Sequence, residues 1–423
     1  MSRTSRARRA RAAAARGAAA AQRAVLRGLV PAVARLPKDD RLVLFGAMNG
    51  TWYGDNSRHL YEWVLAHRPD VRAVWMTRDQ EVFRRLRAEG RPVALSSSPR
   101  GIRLLWRARA AAFSNSLRDI APDPALAPRS LRLLALRHGR SVKRMRFARL
   151  GHQISAEEAR ARRQEGDMID YAISTSEFIS DLQEECLRIG RAKHVVTGYP
   201  RNDALFEVSP RQRQDWQAFL AGATPRSVAL YAPSWRHGRE PTRFFPFDDF
   251  SVDALVEGLR AAGVLLLVRP HVQDLRYPAL RTMLEALAAH PDCVRLATHE
   301  QLPDVNSFLP FVDVLITDYS ALYHDFLLLD RPILFVPYDY EEFEQQNGFL
   351  YDYFGNLPGP AIDSFAGFRD HLAAAAAGDD EDKERRRALR DRVHTYQDAR
   401  SCERTAALLD RVGRSGHRDW PGD

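Results

Sequence analysis

The chain has 423 residues and 45% hydrophobic content, enough to bury two ordinary cores, which excludes a small stapled fold. Its three cysteines, Cys186, Cys293 and Cys402, lie far apart, which excludes a disulfide framework or a four-cysteine zinc site and fits a reducing compartment. The formal charge of +9 is unevenly placed: residues 1–38 hold nine arginines and Lys38 with no acid, so the rest of the chain is close to neutral.

The first predicted element lies in this basic tail. Val25, Leu26, Leu29, Val30, Val33 and Leu36 recur at helical spacing, which predicts an amphipathic helix able to lie on an anionic membrane surface, where each basic residue adds about 1 kcal/mol. A disordered tail is the competing reading. Nucleic acid is not expected as a partner, because no basic and aromatic patch in the body continues a groove. No apolar run approaches the roughly 18 residues of a membrane span, and arginines break the first apolar stretch, so neither a transmembrane helix nor a signal peptide is expected.

From Arg41 onward short β-rich runs alternate with helical patterns: Leu42 to Phe45, Val71 to Met76, Pro92 to Leu95, Ala110 to Ser114, Leu131 to Leu136 and Tyr171 to Ser174. A polar interval from Pro210 to Arg226 carries a helical stretch around Trp216 and Phe219. A second series follows, Val228 to Tyr231, Val264 to Val268, Val312 to Ile316 and Ile333 to Val336, nearly all apolar as befits parallel strands covered on both faces. The sequence then turns Ala-rich and charged from Ala373 to Arg392, predicting one or two helices, with a polar tail after Arg411. The fold class is α/β, two Rossmann-like doubly wound domains. Their expected bounds are 39–208 and 209–375, flanked by the tail 1–38 and by terminal helices over 376–423.

Doubly wound sheets place useful side chains at the carboxyl ends of strands. Three strand ends here carry polar clusters: Arg137-His138-Gly139 with Lys143 beyond, Arg269-Pro270-His271, and Thr317-Asp318-Tyr319-Ser320. Imidazole can take a proton from an alcohol near neutral pH, Arg and Lys suit phosphate, and a Ser at a helix start adds donors. Together they are equipment for moving a phosphorylated group onto a hydroxyl, although each alone is compatible with a cap or an ordinary ion pair. Among the usual nucleotide and hydrolase motifs, the P-loop, the full G-x-G-x-x-G, H-E-x-x-H and G-x-S-x-G are missing. The run Asp380-Glu381-Asp382 reads as a solvated helix face.

Gly198-Tyr199-Pro200-Arg201-Asn202-Asp203, Tyr231-Ala232-Pro233-Ser234-Trp235-Arg236, Arg269-Pro270-His271 and Ile316-Thr317-Asp318-Tyr319-Ser320 stand in the order and spacing of the CDP-glycerol glycerophosphotransferase family, the teichoic-acid primases and polymerases, which the chain resembles. Asp55-Asn56-Ser57 with Leu60-Tyr61 resembles the family's opening, and Asn347-Gly348-Phe349 with Tyr351-Asp352-Tyr353 its segment after the last core strand. The likeness runs from about Arg41 to Arg404. Three positions depart from the pattern: Arg137 where an aromatic is common, Ala321 where a second Ser follows, and Ala399 where Gly is frequent.

The resemblance implies a GT-B-like pair of domains, with the donor nucleotide held by the C-terminal one. It implies transfer of glycerol phosphate, or another alditol phosphate, from CDP-glycerol or CDP-ribitol to a polyprenyl-diphosphate-linked glycan or a growing poly(alditol phosphate), with release of CMP. The setting it implies is the cytoplasmic face of the cell membrane. The family's two essential histidines map onto His138, expected as the base on the acceptor side, and His271, expected with Arg269 at the donor diphosphate. Asp318, Ser320, Lys143, Arg236 and Tyr319 are the further expected substrate-binding residues, with Trp235 and Tyr319 as candidates to stack on cytosine. Arg201 and Asp203 are expected to form a structural ion pair, and Asp325 to lie on a helix covering the sheet.

No tightly bound metal is expected, since Arg and Lys can neutralise phosphate; dependence on soluble Mg²⁺ is open. Two other functions fit parts of the sequence. A nucleotide-sugar glycosyltransferase of the same architecture would release UDP rather than CMP. A catalytically idle scaffold on a basic anchor would tolerate loss of both histidines.

Overall fold

The structure, a computed structural model, describes residues 24–139, 143–148, 155–236 and 240–414. Runs that are apolar on both sides of the backbone become parallel strands in two sheets. The first sheet contains β1 (Asp39–Gly46), β2 (Arg72–Thr77), β3 (Val93–Leu95), β4 (Ala108–Phe113), β5 (Arg132–Ala135), β6 (Tyr171–Ser174) and β7 (His194–Val196), in the order β3-β2-β1-β4-β5-β6-β7. The second contains β8 (Ser227–Tyr231), β9 (Val264–Val268), β10 (Val294–Leu296), β11 (Val314–Thr317) and β12 (Ile333–Phe335), in the order β10-β9-β8-β11-β12. In each sheet the first strand lies inside and the order reverses beside it, between β1 and β4 and between β8 and β11. Loops diverge at such a reversal and open a crevice at the strand ends.

Alternation along the second sheet's strands shows why their sequences are nearly all apolar. Leu230, Leu267, Leu315 and Phe335 enter one buried cluster, whereas Ala229, Tyr231, Val268 and Ile316 enter another. Helices cover both faces, so no position on a central strand meets water. The doubly wound α/β expectation is met in both sheets. Two strands escaped the sequence reading: β7 and β10 are edge strands of three residues, each including a polar side chain, His194 or Arg295. Strands this short have no periodicity to detect.

The described residues fall into two compact units. One takes the residues up to His138, Arg163–Ile173 and the stretch from Glu403; the other takes Gly139–Arg162 and Ser174–Cys402. The chain passes between these units more than once, and its terminal segment returns to the first unit, where Arg68 holds Asp410 at 2.9 Å.

Residues 24–33 form a helix, as its spacing predicts. Val33 is buried and Arg27 meets Asp123 at 2.5 Å, while Val25 and Leu29 remain 66% and 46% exposed. The rest of the basic tail, residues 1–23, and the polar tail from residue 415 lie outside the described residues. No helix among the described residues is long and apolar enough to cross a membrane. The charged region near the C-terminus forms two helices, Phe365–Ala377 and Lys383–Val393. Between them Asp380 is not simply solvated: it grips the fully buried guanidinium of Arg386, which Asp330 meets from another side at 3.1 Å.

Candidate functional site

In the first unit, polar side chains gather at the carboxyl ends of β1, β4 and β5. The helix Asp55–His67 begins after β1, and its first three residues each hold a strand end. Asp55 Oδ2 lies 2.5 Å from His138 Nδ1. Asn56 Nδ2 donates to the carbonyls of Leu136 and Arg137, at 3.0 and 2.8 Å, and Ser57 Oγ is 2.8 Å from Ser114 Oγ. Asp55 and Arg137 both have left-handed backbones, with φ of 63° and 60°. Such strain in non-glycine residues persists only where the surroundings over-determine it, and it concentrates at functional sites. Gly54 is needed just before the helix because the Trp52 ring occupies the place of a Cβ.

The dyad has a clear polarity. Asp55 is almost wholly buried, while the His138 side chain is 56% exposed. A carboxylate accepts, so Nδ1 carries the proton and the neutral ring keeps its lone pair on Nε2, the tautomer of a general base. A second carboxylate lies behind it. Asp119 is fully buried and accepts from the backbone N–H groups of Asn49 and Asn115, each at 2.6 Å, tying the turn after β1 to the one after β4. Burial pushes its pKa up to about 6 against those hydrogen bonds, with the Asp55 charge adding to the rise.

The second unit holds a different constellation. His271, just beyond β9, stacks on Trp235 with ring centroids 4.8 Å apart and planes 12° from parallel. Its Nδ1 accepts from the Gln273 N–H at 3.2 Å, so the neutral ring carries its proton on Nε2 and presents a donor. Burial lowers the His271 pKa, helped by the charges of Lys143, His299 and Arg269 and opposed by Asp274. Lys143 reaches this region because its backbone forms an antiparallel bridge with Phe349, and its Nζ lies 5.8 Å from the Phe343 ring centroid. The structure thus brings Lys143, Arg269 and His271 into one electrostatic neighbourhood, although in the sequence Lys143 follows the His138 cluster.

Other expected contacts are occupied by the protein itself. Arg269 Nη1 donates to the carbonyls of Ala297 and Leu302, each at 2.8 Å, and burial lowers its pKa to about 10. Its observed work is to pin a loop. Arg236 is held by Asp318 at 2.7 Å and by both oxygens of Asp339, so its charge is already neutralised. Asp318 also accepts from the Ser234 N–H at 2.7 Å, joining the ends of β8 and β11. Tyr319 is fully buried, stacked on Phe343 at 4.1 Å, and offers no open face to a base. Ser320 Oγ accepts from the Leu322 N–H at 3.4 Å at the start of the short helix Leu322–Phe326. Beside Arg236 lies a cavity of about 230 Å³ lined by Glu240, Tyr338, Asp339, Glu342 and Gln346 among others.

Arg201 is paired, but not with Asp203. Its guanidinium meets Asp325 at 2.8 Å, both side chains nearly buried, while Asp203 accepts from the N–H groups of Ser401 and Cys402 at the head of the helix Ser401–Arg414. Asp325 does lie on a helix, as expected, and its charge completes this pair. Gly139, at φ 80°, passes so close to Arg201 that any Cβ would collide with the guanidinium. The His-Gly dipeptide therefore joins a chemical residue to a packing requirement.

Sequence reasoning marked Asp55-Asn56-Ser57 only as part of a resemblance, and missed Asp119 and His299. Their signal is positional: each sits within a few residues of a strand's carboxyl end.

The sequence profile of the CDP-Glycerol:Poly(glycerophosphate) glycerophosphotransferase family matches residues 29–410. The teichoic acid glycerol-phosphate transferase of Staphylococcus aureus (strain NCTC 8325 / PS 47) is 25% identical over 358 residues, 80% of this chain and 85% of that protein. The teichoic acid poly(glycerol phosphate) polymerase of Bacillus subtilis (strain 168) is 24% identical over 344 residues, 79% of this chain but 44% of that protein. The teichoic acid ribitol-phosphate polymerase TarL of the same S. aureus strain is 26% identical over 250 residues, 57% of this chain and 42% of that protein. Among solved structures, the wall teichoic acid polymerase TagF superposes with a TM-score of 0.75 at 18% identity, covering 92% of this chain and 93% of that one. At that identity the likeness shows the shared GT-B-like fold.

Proposed function

The chain belongs to the CDP-glycerol:poly(glycerophosphate) glycerophosphotransferase family, and on that premise we propose that it transfers glycerol phosphate from CDP-glycerol to a hydroxyl of a teichoic acid chain or its lipid-linked precursor. The acceptor oxygen attacks the phosphorus that bears glycerol; the new O–P bond forms as the bond to the CMP phosphate breaks, and CMP departs. The hydroxyl proton passes to His138 Nε2. The observation that supports this reading is the Nδ1 hydrogen bond to Asp55, which leaves the lone pair of the neutral ring on Nε2. His271, with its proton on Nε2, donates to a diphosphate oxygen, and Lys143 adds positive charge there. Phosphoryl transfer asks little covalent chemistry of a protein, so positioning and charge neutralisation supply most of the rate.

The test is CMP release by the purified chain offered CDP-glycerol, CDP-ribitol and UDP-hexoses in turn, with a lipid-linked disaccharide acceptor. CMP from CDP-glycerol is expected, with turnover at least ~100-fold lower in His138→Ala and donor affinity nearly intact. CMP from CDP-ribitol alone would change the donor, and UDP release would move the chain to sugar transfer. Near-wild-type turnover in His138→Ala would remove the proposed base.

The exposed Val25 and Leu29, on a helix at the end of the basic tail, support docking on an anionic membrane surface at the cytoplasmic face, where a lipid-linked acceptor is met. Deleting residues 1–36 should abolish co-sedimentation with anionic vesicles; unchanged sedimentation would end that idea.

A further inference from the structure

Two histidines leave the second sheet at equivalent positions. In the parallel pair β9 and β10, Val268 is opposite Leu296, and the Ala297 N–H donates to the Val268 carbonyl at 2.9 Å. Three residues beyond that pair, one strand delivers His271 and the other His299. The loop that carries His299 is clamped at both ends by one guanidinium, since Arg269 bonds the carbonyls of Ala297 and Leu302. Arg269 in turn packs over the Phe308 ring, 5.5 Å from its centroid. The loop is therefore fixed at both ends, and the charge of His299 acts on His271.

We infer that His299 is a second imidazole of the donor-diphosphate cradle, and that it takes up the proton that enters with the bound diphosphate. The inference rests on the reading that this unit binds a CDP-alditol, and it adds a residue and a linkage to that reading. The charged groups acting on His271 are Asp274, Lys143, His299 and Arg269; those acting on His299 are Arg269, Asp304 and Glu300. His271 is a poor place for an added proton, because its Nδ1 already accepts from the Gln273 N–H and a proton there would set donor against donor. His299 is half-buried, and the carboxylates of Asp304 and Glu300 favour its charged form. Burial and the Arg269 charge hold the His299 pKa below that of an ordinary histidine. A diphosphate reverses that field, so the bound form has the higher proton affinity. Affinity then rises as pH falls from 8 towards 6, and the rise ends once His299 is protonated in the free protein as well.

Isothermal titration of the full chain with CDP-glycerol between pH 6 and 8, in buffers of different ionisation enthalpy, reads this directly. CDP-glycerol is a diphosphodiester with no group titrating there, so any proton uptake belongs to the protein. The wild type should take up a fraction of a proton near neutral pH and bind about tenfold more tightly at pH 6.5 than at pH 8. His299→Ala and His299→Gln, checked as folded by thermal melting, should lose both effects and bind about tenfold more weakly at pH 6.5, the worth of one charge-assisted hydrogen bond. Uptake that persists in both variants, or wild-type binding without uptake, would overturn the proposal. If CDP-glycerol fails to bind at any pH, the donor reading falls, and UDP-glucose, another diphosphodiester, decides the cradle. Uptake with it that His299→Ala abolishes keeps the anion site; no binding, or uptake unchanged in the variant, overturns that too.

Discussion

His138 and His271 both stand just past a strand's carboxyl end, yet their rings are wired in opposite senses. His138 gives its Nδ1 proton to a buried carboxylate, which leaves Nε2 basic. His271 receives a backbone N–H on Nδ1, which makes Nε2 a donor. One residue type on one kind of scaffold thereby has a lone pair on Nε2 in the first unit and an N–H there in the second, which suits the base and the phosphate donor proposed above. The lesson is that the neighbour of the ring nitrogen facing the protein decides what the nitrogen facing the substrate can do.

The sharpest way to break this contrast is Asp55→Asn. The amide can offer a donor to Nδ1, which turns the imidazole over and puts its proton on Nε2. Turnover should fall on the order of 10³-fold while the Kd for CDP-glycerol changes little. A loss of only a few-fold would mean that Asp55 merely packs. A smaller effect is expected at His271, where the donor matters rather than basicity. His271→Ala should weaken CDP-glycerol binding about tenfold, and His271→Gln, whose amide nitrogen can stand near the place of Nε2, should restore much of it. If Gln were no better than Ala while both histidine variants lost turnover equally, the division of labour would fail.

The surroundings of the two rings differ as well. The first centre is acidic and buried: Asp55 with Asp119 behind it, the latter raised to about 6 by burial and by its neighbour. The second is cationic, with burial first and then the charges of Lys143 and Arg269 lowering the proton affinity of His271. A carboxylate field favours the imidazolium that a base becomes, and a cationic field favours a bound anion.

Much of the fold was legible in the sequence because its strands are covered on both faces. Val264 to Val268 and Tyr171 to Ser174 have the predicted bounds, and most other runs shift by one to three residues. The edge strands β7 and β10 were not legible, since three residues with a polar member carry too little pattern. At the site, position and chemistry suggested the histidines and Lys143 as candidates but could not suggest their partners. Arg201 finds Asp325, 124 residues away, rather than Asp203 two residues on. Arg236 and Tyr319 are taken up by Asp318, Asp339 and an aromatic cluster, although a cation and an aromatic at strand ends read equally well as substrate contacts.

The sequence by itself determined the class of fold, the order of the strands along the chain, the family and the residue types able to do its chemistry. These follow from local patterns: apolar runs, polar clusters at their ends, and motifs in a fixed order. Only the tertiary structure decided which nitrogen of each histidine is a donor, which arginines are already neutralised, and that His299 lies level with His271. Each of those depends on groups distant in sequence, and a hydrogen bond or a field acts across a few ångströms of space whatever the separation along the chain.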